Sequence, residues 1–130
     1  MNFIRCDETE DPIIKIKFHP VEVDKKSFSE YLAYLDDLYN RFDSFVLILD
    51  GSEAKYLPSE YRIAQAKWMK GKAELMKNQC KGLVFIVNNV ITKMLLDGIF
   101  MINKPPVDYF ITSTLENANQ WAKQKVWAIS

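Results

Sequence analysis

The sequence predicts an α/β fold: a mixed, mostly parallel sheet with a leading β-hairpin and with helices packed on the sheet. Phe45–Asp50 is a continuous apolar run that ends in an acid, which is typical of a strand covered on both faces. Gly82–Val87 is a second run of this kind. Segments with helical spacing follow each run, so the predicted order is β-β-α-β-α-β-α-β-α, with right-handed crossovers. We expect residues 1–130 to form one domain, because a chain of this length can bury a substantial core.

The chain begins with a predicted antiparallel hairpin. Phe3–Cys6 is a short strand, and a polar turn over Asp7–Pro12 separates it from the second strand, Ile13–Phe18. In that second strand apolar residues alternate with lysines, which indicates a half-exposed strand near a sheet edge. His19-Pro20 ends the hairpin, because proline has no amide hydrogen to donate to a ladder.

Two helices are predicted on either side of the central strand. The first begins at Ser27, which forms a capping-box pair with Glu30, and continues to Phe42. The second begins at Pro58 or Ser59, since proline is tolerated in a first helical turn. Its inward-facing residues are expected to be Tyr61, Ala64, Trp68, Leu75 and Met76, with Arg62 and four lysines on the solvated side. Gly71 marks either close packing or a break in this helix.

Val90–Ile102 is an unusually apolar helix, with Lys93 and Asp97 as its only charges. A helix that is apolar nearly all round is expected to be buried on more than one side. Three roles remain open for it: part of the core, a homodimer or partner surface, or the wall of a pocket for an apolar, lipid-like ligand. The candidate residues for such a partner or ligand surface are Asp50, Trp68, Met94, Leu95, Ile99 and Phe100.

The remaining elements are predicted from capping and alternation. Asn88 and Asn89 can cap the apolar helix. Val107–Thr112 is a short last strand, and Ser113 begins the final helix with a capping-box spacing to Glu116. The residues that this last helix is expected to turn inward are Leu115, Ala118, Trp121, Ala122 and Val126.

The composition argues against several classes of protein. There are 17 basic and 17 acidic residues, whereas a nucleic-acid binder usually has a basic excess. Cys6 and Cys80 lack metal-ligand spacing, and a single histidine, His19, makes a Cys/His zinc site improbable. No apolar run reaches the roughly 18 residues that a membrane-spanning helix needs. Two cysteines and an N-terminus without signal-peptide features favour a reduced, cytoplasmic protein.

The charges are divided unequally along the chain. Residues 1–60 carry 7 basic and 13 acidic side chains, a net of −6, and residues 61–130 carry 10 basic and 4 acidic, a net of +6. Such asymmetry can orient a partner or a second copy, although the fold can also mix the two halves and neutralise them locally.

No sequence motif indicates catalysis. The four glycines show neither P-loop nor dinucleotide-binding spacing, and no nucleophile elbow is present. We therefore expect a protein that is not an enzyme and needs no cofactor.

Short blocks throughout the chain carry a family resemblance. They are Phe45–Asp50, Tyr61–Trp68, Lys81–Val87, the helix that ends at Lys104-Pro105-Pro106, and Leu115–Trp121. In order and character they resemble the STAS domain, the fold of bacterial anti-sigma-factor antagonists, and in particular its divergent SpoIIAA-like branch. The resemblance covers about residues 10–127.

The resemblance implies a non-catalytic regulatory module that binds another protein. Regulatory STAS proteins are phosphorylated on a serine at the start of the helix after the central strand, and Ser59 is the nearest equivalent here. The Asp, the second Ser and the Gly of that motif are absent. Some members of the superfamily are described as lipid-binding or as related to CRAL-TRIO carriers, which supports the alternative of an apolar ligand beside Val90–Ile102.

Asp50 has a second interpretation. An acid at the end of a buried strand is also the phospho-acceptor of response-regulator receivers, and Lys104-Pro105 looks like their lysine–proline pair. In receivers, however, that pair follows the last strand, whereas here it precedes it. We therefore predict that Asp50 accepts hydrogen bonds from loop amides at the end of its strand.

Overall fold

A computed structural model describes residues 3–55 and 57–129, and these residues form one five-stranded sheet. The strands are β1 (Ile4–Glu10), β2 (Ile13–Phe18), β3 (Phe45–Asp50), β4 (Cys80–Ile86) and β5 (Tyr109–Thr112). They lie side by side in chain order; the first two are antiparallel and the later pairs are parallel. The predicted mixed sheet with a leading hairpin is confirmed, with β3 at its centre.

The helices cover both faces of the sheet. They are α1 (Lys25–Arg41), α2 (Ser59–Gly71), α3 (Ala73–Gln79), α4 (Val90–Ile102) and α5 (Leu115–Ile129). The connections through α1, α2 with α3, and α4 each advance the sheet by one parallel strand. Because every one of these crossovers turns in the same direction, α1–α4 share one face, and α5 lies on the other.

Each face of the sheet has its own apolar core. Leu47 and Ile16 belong to the core beneath α1–α3, where Phe28 and Leu38 of α1 meet the sheet. The opposite core, beneath α5, contains Val46, Ile48 and Val84 from the sheet and Ala118 and Ala122 from the helix. Alternate residues of β3 therefore serve different cores, which explains why its sequence is apolar without alternation.

The first strand is longer than its sequence predicts. Asp7–Glu10 was predicted to lie in a turn, but β1 continues to Glu10 and only Asp11-Pro12 turns. The side chain of Glu8 makes this possible, because it receives two 2.8 Å hydrogen bonds from the guanidinium of Arg41 on α1. The acid is thus bound to a helix, so a polar sequence can continue as an edge strand.

Two helix starts differ from the prediction. α1 is capped by Asp24 rather than by Ser27: the Asp24 carboxylate accepts a 2.7 Å bond from the Ser27 amide, and the Ser27 hydroxyl accepts from the Asp24 amide. A capping box is therefore present, but Asp24 and Ser27 form it, three residues earlier than the predicted Ser27–Glu30 pair. At α5, the Thr114 hydroxyl accepts a bond from the Asn117 amide, so Thr114 and not Ser113 precedes the first turn.

The predicted second helix is divided in two. α2 ends at Gly71 and α3 begins at Ala73, and the space around Gly71 is open, so this glycine marks a break rather than close packing. After the break the register changes, and Leu75 is exposed instead of buried.

Leu115 at the start of α5 is also exposed, contrary to expectation. β4 begins two residues earlier than predicted, and β5 two residues later.

Candidate functional site

A cavity of about 130 Å³ lies between the sheet and helices α1, α2 and α4. Its floor is the β3–β4 pair, where Leu47, Leu49, Leu83 and Phe85 point toward the helices. These strands are parallel, so the cavity lies toward the end of the sheet where their connections to the helices begin. We refer to this space as the cavity.

Apolar and aromatic side chains dominate the cavity wall. The residues around the floor are Phe3, Phe18, Phe28, Tyr31, Leu35, Tyr39, Leu57, Trp68, Met69, Met76, Ile86, Val87, Leu95, Leu96, Ile99 and Phe100. Few of the remaining wall residues have polar side chains: they are Lys55, Gln65 and Thr92, and Gly51 and Ala54 from the loop after β3 complete the lining. Lys55 is exposed, so the cavity reaches solvent at that loop.

The polar groups of the wall are bound to one another. The hydroxyl of Tyr31, which is fully buried, is hydrogen-bonded to the side chain of Gln65, and burial raises the pKa of this phenol. Thr92 donates from Oγ1 to the carbonyl oxygen of Gly51 at 2.6 Å. Trp68 turns its ring toward the cavity while its Nε1 donates to Asp36 at 2.9 Å. The wall therefore presents mainly carbon surface, which suits an apolar occupant.

Helix α4 has two different faces. Leu95, Leu96 and Ile99 line the cavity, and the ring of Phe100 packs edge-on against Phe85 and Tyr109 with centroids 5.5 and 5.2 Å apart. Leu95, Ile99 and Phe100, three of the candidates for a partner or ligand surface, therefore lie on the cavity side of the helix.

The opposite face of α4 is uncovered. The exposed fractions are 74% for Val90, 56% for Met94 and 88% for Met101, and Ile91 and Ile102 are exposed beside them. We call these five residues the outer face of α4. The prediction that the helix is buried on more than one side is wrong for the chain taken alone, because α2 covers one flank and nothing in the described residues covers the outer face.

Arg62 of α2 lies over α4 rather than on the solvated side. A Cβ atom added to Gly98 would come within 2.9 Å of Nη1 of Arg62, so the guanidinium rests against the backbone of α4 at this glycine. The prediction that Arg62 lies on the solvated side of its helix is therefore wrong, because the side chain is half-buried against α4. The next residue of α2, Ile63, is exposed.

Ser59 and Asp50 do not belong to the cavity. Ser59 is the exposed first residue of α2, where Pro58 precedes it without a side-chain cap. Asp50 accepts a 2.9 Å hydrogen bond from the Ser52 amide, as predicted for a strand-end acid. Phosphorylation of Ser59, and a partner role for Asp50, stay predictions.

Several cavity residues were not predicted from sequence. Phe3, Phe18, Phe28 and Tyr31 form a cluster of ring contacts at one end of the cavity, with centroids 5.4–6.4 Å apart. Each has the pattern of an ordinary core residue in its own element, so the sequence carries no signal that separates a cavity wall from a filled core.

Residues 3–55 and 57–129 hold no group of three or more histidines, cysteines or acids placed to bind a metal ion. Across the same residues, none of the helices combines the length and hydropathy needed to cross a bilayer.

A solved structure with the same fold is found among known proteins. An uncharacterised DUF3478-family protein with a SpoIIAA-like fold, from Shewanella loihica PV-4, superimposes with a TM-score of 0.64 at 12% identity and covers 92% of this chain and 91% of that one. The predicted SpoIIAA-like fold is therefore confirmed, and at this identity the likeness concerns the fold alone. No protein-family model matches the sequence.

One curated protein shares a short segment. The ubiquitin-like modifier-activating enzyme ATG7 of Lodderomyces elongisporus is 38% identical over 60 residues, which is 46% of this chain. The chain spans only 8% of the length of that enzyme, so the match assigns neither a family nor an activity.

Proposed function

We propose that the protein is a non-catalytic regulatory module that binds another protein chain, as its SpoIIAA-like fold suggests. The observation that supports this most directly is the outer face of α4. Five large apolar side chains stand exposed on one side of a single helix, and contiguous apolar surface of this extent usually marks an interaction site. We also propose that residues 1–130 act as one domain and that the protein works in the cytoplasm, where Cys6 and Cys80 would stay as the free thiols seen here.

The position of the outer face fits a regulatory contact. It lies beside α2, which packs against α4, begins at Ser59 and carries the exposed apolar residue Ile63. A partner seated here would contact α4 and α2 together. A phosphate on Ser59 would then lie on the helix that borders the contact, which is how a charge at this position could influence binding.

The proposal is tested by quantitative affinity capture followed by reconstitution. Wild-type protein is compared with Met94→Glu, which places a charge in the outer face, and with Leu75→Glu as the matched control. Leu75 is an equally apolar, exposed helical residue on α3, away from the outer face. We expect at least one protein to bind wild type and the Leu75 variant but not the Met94 variant, and to bind again when both components are pure.

The proposal is abandoned if the Met94 variant captures the same proteins in the same amounts as wild type. Circular dichroism of each variant excludes the trivial explanation that the substitution unfolded the chain. Because Met94 is more than half exposed, a charge there carries little cost for the fold itself.

A second function is favoured by the cavity: binding of a small apolar molecule. The volume of the cavity, about 130 Å³, limits the size of the molecule that it can hold. An engineered apolar cavity of about 150 Å³ accepts benzene, whereas drug-sized ligands occupy about 300 Å³ or more. The cavity therefore fits one aromatic ring or a short branched chain, and a fatty acid would require α4 to move away from the sheet.

This second function is tested with toluene and indole as probes in thermal unfolding. A ligand that binds only the folded protein raises the melting temperature in proportion to its occupancy. We expect both probes to stabilise wild type, and Ile99→Phe, which fills the cavity, to abolish the effect. Met94→Phe is the matched control, because it makes a similar change about one turn away on the uncovered side of the same helix.

Native mass spectrometry of freshly purified protein examines retained ligands directly. We expect Leu95→Asp or Phe100→Asp to abolish retention of any copurifying small molecule. Retention by a folded charged variant, or a wild-type protein that neither probe stabilises, would remove the cavity from consideration as a ligand site.

A further inference from the structure

Three residues of the outer face of α4, together with Asp97, are regularly spaced along the helix. Val90, Met94, Asp97 and Met101 are separated by four, three and four residues, which places them on one line down the exposed side. This is the a/d spacing by which two helices pack along a common seam. Ile91 and Ile102 flank the line on the side toward α2.

We propose that the partner of this face is a second copy of the same chain, with the two α4 helices antiparallel about a two-fold axis. The axis passes midway along the line, between residues 95 and 96. Val90 of one copy then meets the partner's Met101, and Met94 meets the partner's Asp97. This inference rests on the proposed protein-binding function and names its partner.

The charges of the helix support a self-complementary contact. An isologous interface must be complementary to itself, because a residue i that contacts residue j of the partner is matched by the contact of j with the partner's i. Lys93 and Asp97 are the only charges of α4, are both exposed, and are joined by a 2.6 Å ion pair within the helix. Antiparallel pairing brings the Lys93 of each copy toward the partner's Asp97, so the two intrahelical pairs become one four-membered network of alternating sign.

The available area is in the range that a dimer needs. The five outer-face residues and Ile63 together expose on the order of 600 Å² of apolar side-chain surface, and a stable interface commonly buries about 800 Å² from each partner. The remainder would come from the polar rim around the line.

Self-association would also account for the apolar sequence of α4. One side of the helix closes the cavity through Leu95 and Ile99, and the other side would close against its symmetry mate. The helix would then be buried on two opposite sides, which is what a sequence with only two charges in 13 residues requires.

The first experiment is sedimentation velocity over a dilution series. We expect a concentration-dependent dimer for wild type and for Leu75→Glu, and a dissociation constant at least about tenfold weaker for Met94→Glu. Asp97→Lys should weaken the dimer, because Lys93 and the new lysine of both copies would bring four positive charges together near the axis. Combining it with Lys93→Glu restores alternating charge and should restore the dimer.

The second experiment tests the register. In a Cys6→Ser background, which leaves only the buried Cys80, single cysteines are introduced by Met94→Cys and by Asp97→Cys. Mixing the two proteins under mild oxidation should give the mixed disulfide in preference to either homodimer. Val90→Cys with Met101→Cys should behave in the same way.

Three results would refute self-association. They are a wild-type protein that is monomeric at the highest soluble concentration, a dimer that Met94→Glu leaves intact, and disulfides that form between identical positions. A monomer whose capture of a different protein is lost in Met94→Glu would refute the second copy while leaving the proposed function in place.

Discussion

The hydroxyl of Thr92 donates a 2.6 Å hydrogen bond to the carbonyl oxygen of Gly51. This contact joins the first turn of α4 to the end of the central strand. Gly51 is also bound to the neighbouring strand, because its amide donates to the carbonyl oxygen of Ile86 at 3.0 Å. The approach is so close that a Cβ atom on Gly51 would lie 2.5 Å from the Cγ2 methyl of Thr92.

We expect Gly51→Ala to destabilise the protein by about 1–3 kcal/mol, the usual cost of overpacking a well-packed site. The cause is the contact with the Thr92 methyl, since the backbone of Gly51 has no positive φ that would itself exclude alanine. Urea denaturation measures the change in the free energy of unfolding.

Thr92→Ser provides the matched test of that cause. Serine keeps the hydroxyl that bonds Gly51 and removes the methyl, so the single change should cost only about 1 kcal/mol. In the double variant most of the Gly51→Ala penalty should disappear. Equal penalties in the two backgrounds would show that the methyl is not the source of strain.

The bond between Glu8 and Arg41 predicts a pH dependence of stability. Two hydrogen bonds from Arg41, and one from the hydroxyl of Tyr34, lower the pKa of Glu8 from 4.5 to about 2. The stabilisation is fully present above the unfolded pKa of 4.5 and is lost as the pH falls toward 2. We expect Glu8→Gln to be less stable than wild type at pH 7, with the difference vanishing near pH 2.

The control for this prediction is Glu74→Gln, which removes an exposed acid paired only with Lys77 on the same helix. Its unfolding curves should follow those of wild type at every pH. A constant difference between Glu8→Gln and wild type across the range would contradict the role of the Glu8 carboxylate charge.

The two thiols are expected to differ in reactivity. Burial raises the pKa of Cys80 to about 12. Cys6 is exposed, and the partial desolvation of its thiol raises its pKa despite a hydrogen bond with Tyr34 that lowers it. The thiolate is the reactive form, so a maleimide should label Cys6 slowly at pH 7 and faster at alkaline pH. Mass spectrometry should find Cys80 unlabelled until the protein is unfolded, and rapid labelling of native Cys80 would argue against this core.

Trp121 of α5 packs directly on Gly82 in β4. A Cβ atom at Gly82 would lie 2.7 Å from the indole ring, which also stacks on Phe110 with the ring planes 12° apart. We expect Gly82→Ala to push α5 from the sheet, lowering the melting temperature and changing tryptophan fluorescence. Gly71→Ala is the matched control: its surroundings are open, so it should be neutral or stabilise by up to about 1 kcal/mol.

Patterns that arise within a single element predicted that element well. β2, β3 and α4 have the bounds that alternation, a continuous apolar run and an apolar helix between Asn89 and Asn103 indicate. The Asn89 cap of α4 is confirmed, since its side chain accepts a 2.9 Å bond from the Thr92 amide. One error arose where a contact distant in sequence decides the outcome, because Arg41 binds Glu8 and the strand continues past Cys6. Other errors were local and concerned which residue caps or interrupts a helix, as at Asp24 and Gly71.

The candidate site could be predicted only in part. The low polarity of α4 singled out Leu95, Ile99 and Phe100 as candidates for a partner or ligand surface, and the structure places them on the cavity wall. Met94 was grouped with them, but it points to the opposite side. Which residues of α4 face the cavity depends on how the helix is rotated about its axis. The packing of α4 against β4 and α2 sets that rotation.

Local periodicity and capping were sufficient to predict the class of fold, the sequence of strands and the unusually apolar character of α4. Tertiary structure alone decided which side of that helix closes the cavity and which side remains open. It also decided that Phe3, Phe18 and Phe28 stand around a space and do not fill it. Volume left between packed elements depends on the distances among all of them, and no single segment of sequence records those distances.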